Sequence, residues 1–199
     1  IIKQGPAERR RFLDMELCQL DKVYLHHLSG YNRVLIQRNK LLKDLAFQPE
    51  LADTLDVWDL QLAEYGKRVI EGREEFIASL GEIVGRIHGN LTGGRERLKL
   101  SYEKNASGEE LYERIRQNRD KDIRMKTTSV GPHRDDLLFS SDGVDIRKFG
   151  SQGQQRTAAL SLKLSEIELV KQVIRDTPVL LLDDVLSELD QNRQNYLLN

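Results

Sequence analysis

The stretch TPVLLLDDVLSELD, residues 177–190, decides how the rest of the chain is read. Pro178 suits a turn. Val179, Leu180, Leu181 and Leu182 then form a short apolar run of the kind found in a strand buried on both faces of a parallel sheet. Two adjacent carboxylates, Asp183 and Asp184, follow. Open α/β sheets bind ligands at the C-terminal ends of their strands. A carboxylate placed there suits Mg²⁺, which keeps several waters and takes few protein oxygens. The plainer alternative is a buried strand that ends in a polar turn. The second acid and the tail Ser187, Glu188, Leu189 and Asp190 favour the ligand-binding reading.

Some 30 residues upstream, KFGSQGQQR (148–156) runs directly into TAALSLKLSEIELVKQVI (157–174). The second segment reads as a helix with Ala158, Leu162, Ser165, Ile167, Leu169 and Val173 broadly on one side. The first is a Gly/Ser/Gln loop at its N-terminus, where backbone N–H groups lack partners and the dipole is positive. Phosphate binds such places readily. Ser151 can cap the helix or meet a phosphate, and Gly153 permits close backbone approach. A simple capped helix start is the competing explanation.

Composition bounds the rest. The 199 residues carry a net charge of −1, so any attraction to nucleic acid must come from local patches. Charged residues make up 32% and aromatics 6%, which favours long solvated helices over an aromatic-rich core. The single cysteine, Cys18, cannot form an internal disulfide, which fits a reducing cytoplasmic setting. No stretch approaches the ~18 apolar residues a bilayer span requires, so no membrane partner is expected. The N-terminus is neither a signal peptide nor a methionine start, and the chain is expected to be a piece of something longer.

Leu13, Leu17, Leu20, Tyr24, Leu28, Tyr31, Leu35, Leu42 and Leu45 recur at spacings of three and four, with Arg38 at the one skipped position. That stripe predicts one long helix over 7–45. Pro49 opens a second, striped by Leu51, Leu55, Trp58, Leu62, Tyr65, Val69, Phe76, Leu80, Ile83 and Ile87. Residues 88–94, HGNLTGG, are read as its stop. A short connection makes the two antiparallel. Residues 1–45 hold nine Lys/Arg against five acids, and residues 50–87 hold four against nine, so the pair also attract. The bland reading of this stripe is a helical hairpin with no ligand, and Trp58 and the tyrosines are read as core.

Residues 95–104 alternate as a half-exposed strand. Ser107 or Gly108 then caps a helix that is basic through Arg114, Arg116, Arg119, Lys121, Arg124 and Lys126. Such a helix can follow a phosphate backbone or be a solvated face. Residues 131–136 form a polar turn. Residues 137–139 and 144–146 are read as a hairpin around 140–143. His133, with no other ligand at metal spacing, is read as a turn histidine bonded to backbone.

Taken together, GSQGQ (150–154) resembles the signature loop of ABC-type ATPases, and LLLDD (180–184) and SELD (187–190) resemble their Walker B strand and D-loop. GPAERRRFLD (5–14), TTSVGPHRDDL (127–137) and GSQGQQRTAALSLKL (150–164) are similar to the RecF family of bacterial recombination mediators. With the Walker B stretch they cover the chain almost end to end. The resemblance implies an α/β, helix-rich fold: part of an ABC-type P-loop ATPase head bearing a long antiparallel helical hairpin arm. The arm would span 1–94, the signature lobe 95–176, and the Walker B strand and D-loop 177–199.

The same resemblance implies the site residues. Asp183 would hold the Mg²⁺ of ATP, and Asp184 would orient the attacking water. Ser151, Gln152, Gly153 and Gln154 would reach the ATP of a second subunit, with Ser187 and Asp190 at the interface. An aspartate where most ABC enzymes have glutamate implies slow, switch-like hydrolysis. The implied partners are double-stranded and gapped DNA, RecR, RecO and RecA, with an ATP-dependent homodimer. Arg9, Arg10, Arg11, Arg114, Arg116, Arg119 and Lys121 are the candidate DNA contacts, although Arg9–Arg11 could instead pair with the acidic second helix. No G-x-x-x-x-G-K-S/T occurs in the sequence, so the phosphate-cradling loop is expected in a lobe outside it, and the fragment alone is expected to be inactive. A reading of a different class is a helical adaptor that docks protein partners and keeps vestigial ATPase motifs.

Overall fold

In a computed structural model of the chain, residues 1–174 are described. The Walker B and D-loop residues named above lie outside them. The order is α1 (Pro6–Leu20), α2 (Lys22–Asp44), a 3₁₀ turn (Pro49–Thr54), α3 (Leu55–Thr92), β1 (Leu98–Glu103), α4 (Leu111–Gln117) and α5 (Arg119–Met125). A 3₁₀ turn (Pro132–Arg134), β2 (Asp136–Ser141), β3 (Val144–Asp145), α6 (Ile146–Phe149) and α7 (Gln152–Ile174) follow. Two compact units emerge. A helical unit comprises Pro6–Glu75 and Tyr102–Asp136. A sheet unit comprises Ile1–Gly5, Phe76–Ser101 and the chain from Leu137 onward.

In the helical unit α2 and the first half of α3 are antiparallel, as the pairs between them establish. Tyr24 meets Gly72, Tyr65 meets Gly30, Tyr31 meets Gly66, and Arg38 meets Asp59. A Cβ added at Gly30 or Gly72 would lie 2.5 or 2.8 Å from a tyrosine ring. The glycines thus let each ring lie against the facing backbone. Leu42, Leu45 and Leu55 close the end near the 3₁₀ turn. Tyr24 and Tyr31 are buried as expected, while Trp58 is half-buried.

The single helix expected over 7–45 is two. Asp21 has extended backbone, and its carboxylate accepts from Val23 N–H at 2.7 Å, so it caps α2 and ends α1. The apolar stripe passes through this break because helix periodicity reports the face and not the joint. Helix α3 ends inside its expected stop, 88–94, but near its far end. His88 and Thr92 are buried inside it, Thr92 Oγ1 donates to His88 O, and the turn ends only at Gly93 and Gly94, both at positive φ. At 38 residues α3 is roughly 57 Å long. The basic helix is also two, divided at Asn118. Ile146, expected in a strand, begins α6, because Asp145 accepts from Arg147 N–H and caps it.

In the sheet unit the strands stand in the order β1-β2-β3, with Ser140 opposite Asp145 and Ser141 opposite Val144 in the antiparallel β2–β3 pair. Leu98 and Leu100 are buried and Lys99 is exposed, as alternation requires. The second half of α3 lies close on β1. Cβ atoms at Gly81 and Gly85 would sit 3.6 and 3.5 Å from the Leu100 and Leu98 carbonyls. Leu80, Val84, Leu137, Phe139, Ala158 and Leu162 form the core. Among the described residues, no helix is long and apolar enough to cross a membrane.

Candidate phosphate-contact turn and basic surfaces

Helix α7 begins at Gln152 and so takes in residues 152–156, which the sequence reads as loop; a reciprocal cap starts it there. Ser151 Oγ accepts from Gln154 N–H at 3.2 Å, and Gln154 Oε1 accepts from Ser151 N–H at 2.9 Å. The Ser-x-x-Gln spacing produces this box because each side chain reaches one orphan donor of the first turn. Ser151 O accepts the first helical bond, from Gln155 N–H at 3.0 Å. Gln155 anchors the turn from behind: it is buried, and its Nε2 donates to Ile146 O at 2.8 Å. Among the described residues, the Ser151 hydroxyl hydrogen and the N–H groups of Gln152 and Gly153 have no partner. Ser151, Gln152 and Gly153 are exposed.

Two glycines flank this turn for different reasons. A Cβ at Gly150 would lie 2.6 Å from Ile146 O, so the chain itself forbids a side chain there. A Cβ at Gly153 would meet only Ser151 Oγ, at 3.9 Å. Nothing among the described residues demands glycine at 153. Open space above three donors at a positive helix end suits a phosphate arriving from outside.

Along α7, Thr157, Ser161 and Ser165 are buried, and each hydroxyl donates to the carbonyl four residues earlier, at 2.8, 2.8 and 2.6 Å. With its own hydrogen committed, Ser161 Oγ accepts from His88 Nδ1–H at 2.9 Å. This ties α7 to α3, and Arg86 pairs with Glu168 nearby.

The predicted basic residues divide by use. Arg9 is buried and grips Asp136 with two bonds of 2.6 and 2.7 Å. Arg10 donates to Asp135 O at 2.7 Å. Their partners are thus in the GPHRDD turn, not in the acidic second helix, because α1 runs beside that turn. Arg11 is exposed, 3.9 Å from Glu8. Arg119 bridges Asp56 and Asp59, each at 2.6 Å. Arg116 stands 5.7 Å from the Tyr112 ring centroid. Arg114, Lys121 and Arg124 are exposed and carry no side-chain hydrogen bond or ion pair among the described residues.

Two buried ionic knots escaped the sequence reading. Arg38, fully buried, donates to Asp59 at 2.6 Å and to Asp122 and Thr128 at 2.8 Å. Its place at the skipped position of an apolar stripe was the available signal. Arg73 is 2% exposed; it donates to Asp14 at 2.8 Å and to Pro132 O at 2.8 Å, and stands 3.6 Å from Asp135. Nothing local marks it, since its partners come from α1 and the GPHRDD turn. His133 is indeed bonded to backbone: its Nε2–H donates to Thr128 O at 3.0 Å. Its Nδ1 accepts at 2.6 Å from Tyr31, whose phenol burial keeps protonated. Burial pushes the His133 imidazole down to about 4.

This geometry has solved counterparts. The chain superposes over its full length on 55% of "the recombination mediator protein RecF-ATP in RecFOR pathway", with a TM-score of 0.92 and 39% identity. It superposes on 56% of the RecF-ATPrS structure with a TM-score of 0.90 and 38% identity. The fold is therefore the helix-rich fold that makes up part of a recombination mediator. No family model matches the chain.

Curated relatives carry the comparison further. "DNA replication and repair protein RecF" of Agathobacter rectalis is 65% identical over 199 residues, that of Lachnospira eligens 62% over 201, and that of Acetivibrio thermocellus 49% over 208. All of this chain is covered in each case, and 55–56% of the relative. The chain shows strong, consistent identity with bacterial RecF proteins along all of its residues and spans about 55% of the length of the relatives it matches.

Proposed function

We propose that the chain is the arm-and-signature part of a DNA replication, repair and recombination protein whose heads dimerise on ATP. The observation that carries this reading is the turn at the start of α7. Ser151, Gln152 and Gly153 are exposed, and the cap that shapes the turn uses neither the Ser151 hydroxyl hydrogen nor the N–H groups of Gln152 and Gly153. In this reading residues 1–94 are the hairpin arm of an ABC-type head, 95–176 its signature lobe, and 177–199 its Walker B strand and D-loop. The turn donates to the terminal phosphate of ATP held by a second copy. Asp183 holds Mg²⁺, Asp184 orients the attacking water, and Ser187 and Asp190 line the contact between heads.

ATP supplies the phosphate charge, and donors from two copies neutralise it, so the nucleotide favours the paired state by its differential affinity. Double-stranded DNA next to gaps, RecO, RecR and RecA are the partners proposed for the whole protein. Arg114, Lys121 and Arg124, exposed and without an ion pair among the described residues, are the proposed phosphate contacts. Arg9 is the least suited of the candidates, because it is buried and reaching DNA would break its two bonds to Asp136.

The test is the mass of the intact protein in solution with and without ATP and Mg²⁺. The expected result is a nucleotide-dependent monomer-to-dimer shift. Ser151→Arg is expected to abolish that shift while single-head ATP binding survives. Absence of any shift in the unaltered protein would favour the adaptor role. Loss of shift and nucleotide binding together would remove the second-copy role of Ser151.

A further inference from the structure

Within the helical unit, α1 and α2 border an open cleft of ≈ 450 Å³. Its lining is of two kinds. Arg10, Arg11 and Asn32 bring donors, and Met15, Cys18 and Leu28 supply an apolar wall. Asp14 also borders the space, but its two oxygens are engaged by Arg73 at 2.8 and 3.0 Å and by the Tyr24 hydroxyl at 2.6 Å. The net result is a cleft whose available polar groups are donors.

Those donors are under-used. Arg10 is half-buried, yet of its five N–H groups only one in Nη1 has a partner among the described residues, Asp135 O. Burial and then the neighbouring Arg73 pull its pKa below the ordinary value, against the opposing pull of Asp136, Asp135 and Asp14. Arg11 reaches only Glu8, at 3.9 Å, and the exposed Asn32 amide has no partner among the described residues. A concave, mainly apolar space with a few convergent donors is the usual form of a small-molecule site.

We infer that this cleft binds a small organic anion, its phosphate or carboxylate head held by Arg10, Arg11 and Asn32 and its apolar body against Leu28, Met15 and Cys18. Two arginine forks suit either head, since both present coplanar pairs of oxygen acceptors. The apolar wall separates such a ligand from a bare ion, which has nothing to place there. The site lies in the helical unit, apart from the α7 turn, and does not depend on the reading of that turn.

Cys18 provides the measurement. In the intact protein, N-ethylmaleimide modification of the Cys18 peptide is followed by mass spectrometry in the presence of phenyl phosphate, phenylacetate or inorganic phosphate. Phenyl phosphate or phenylacetate should slow the reaction saturably, with half-effect on the order of 1 mM for a ligand of this size. Whichever protects at the lower concentration identifies the head the site takes. Arg11→Gln, on an exposed side chain that the fold does not need, should raise that concentration about tenfold, and Arg10→Gln should do the same. The inference is overturned if neither organic anion protects Cys18, or if protection is unchanged in Arg11→Gln. Equal protection by inorganic phosphate overturns it too, leaving an adventitious ion only.

Discussion

The ionic knots of the helical unit and the Ser151 turn of the sheet unit spend their polar residues in opposite ways. In the helical unit, arginines and aspartates far apart in sequence are drawn inside and paired: Arg38 with Asp59 and Asp122, Arg73 with Asp14, Arg9 with Asp136. In the sheet unit the polar turn at Ser151 is capped by its own neighbours three residues away and stays exposed. The contrast separates charge that holds a fold from polarity kept available. A buried ion pair loses solvation and survives only while every partner is present. A local cap asks nothing of distant residues, so its remaining donors are open to an incoming ligand.

The largest expected effect tests the first half of that contrast. Arg38→Met should lower unfolding stability by about 3–5 kcal/mol in denaturant titration, because Asp59 and Asp122 lose a buried cation. Arg119 still serves Asp59, and Ser129 still serves Asp122, at 3.0 Å from its N–H, which keeps the loss at the lower end. A loss below about 1 kcal/mol would mean that the knot behaves like a surface ion pair.

A slightly smaller effect concerns pH. His133 is held near 4 in the folded chain against an ordinary 6.5, because burial and the Tyr31 donor leave no place for a second proton. The unfolded chain binds that proton more readily. Stability from this group is therefore complete above about pH 6.5 and declines as pH falls towards 4, by on the order of 3 kcal/mol. Asp135, whose pKa burial raises, contributes with the opposite sign. The comparison to make is thus between the wild type and His133→Gln, which should lose this part of the slope. Identical pH profiles would show that His133 gains its proton without penalty.

The smallest effect belongs to the exposed turn. Ser151→Ala should cost about 1 kcal/mol, seen as faster amide exchange at Gln154 and a small drop in thermal midpoint. Destabilisation comparable to that of Arg38→Met would erase the distinction between the two units.

Much of this molecule was legible along the chain. The stripes of α2 and α3 and the alternation of β1 each depend on neighbours a few residues away, and each stands in the structure. The body of α7 was legible too, but its start was not: the Gly/Gln-rich stretch 152–156, read as loop, is the first part of the helix. Joints were less legible. One aspartate at 21 divides a helix whose apolar stripe runs on unbroken, and Asn118 does the same for the basic helix.

Residue by residue, sequence alone determined which segments are helix, which turn carries unpaired donors and which family the motifs resemble, because these follow from local spacing and backbone chemistry. Only the tertiary structure decided which arginines are free. Arg9 and Arg11 are two positions apart and chemically identical, yet one is locked on Asp136, 127 residues away, while the other faces water. Desolvation and pairing across such distances are properties of the packed chain, and no pattern within nine consecutive residues encodes them.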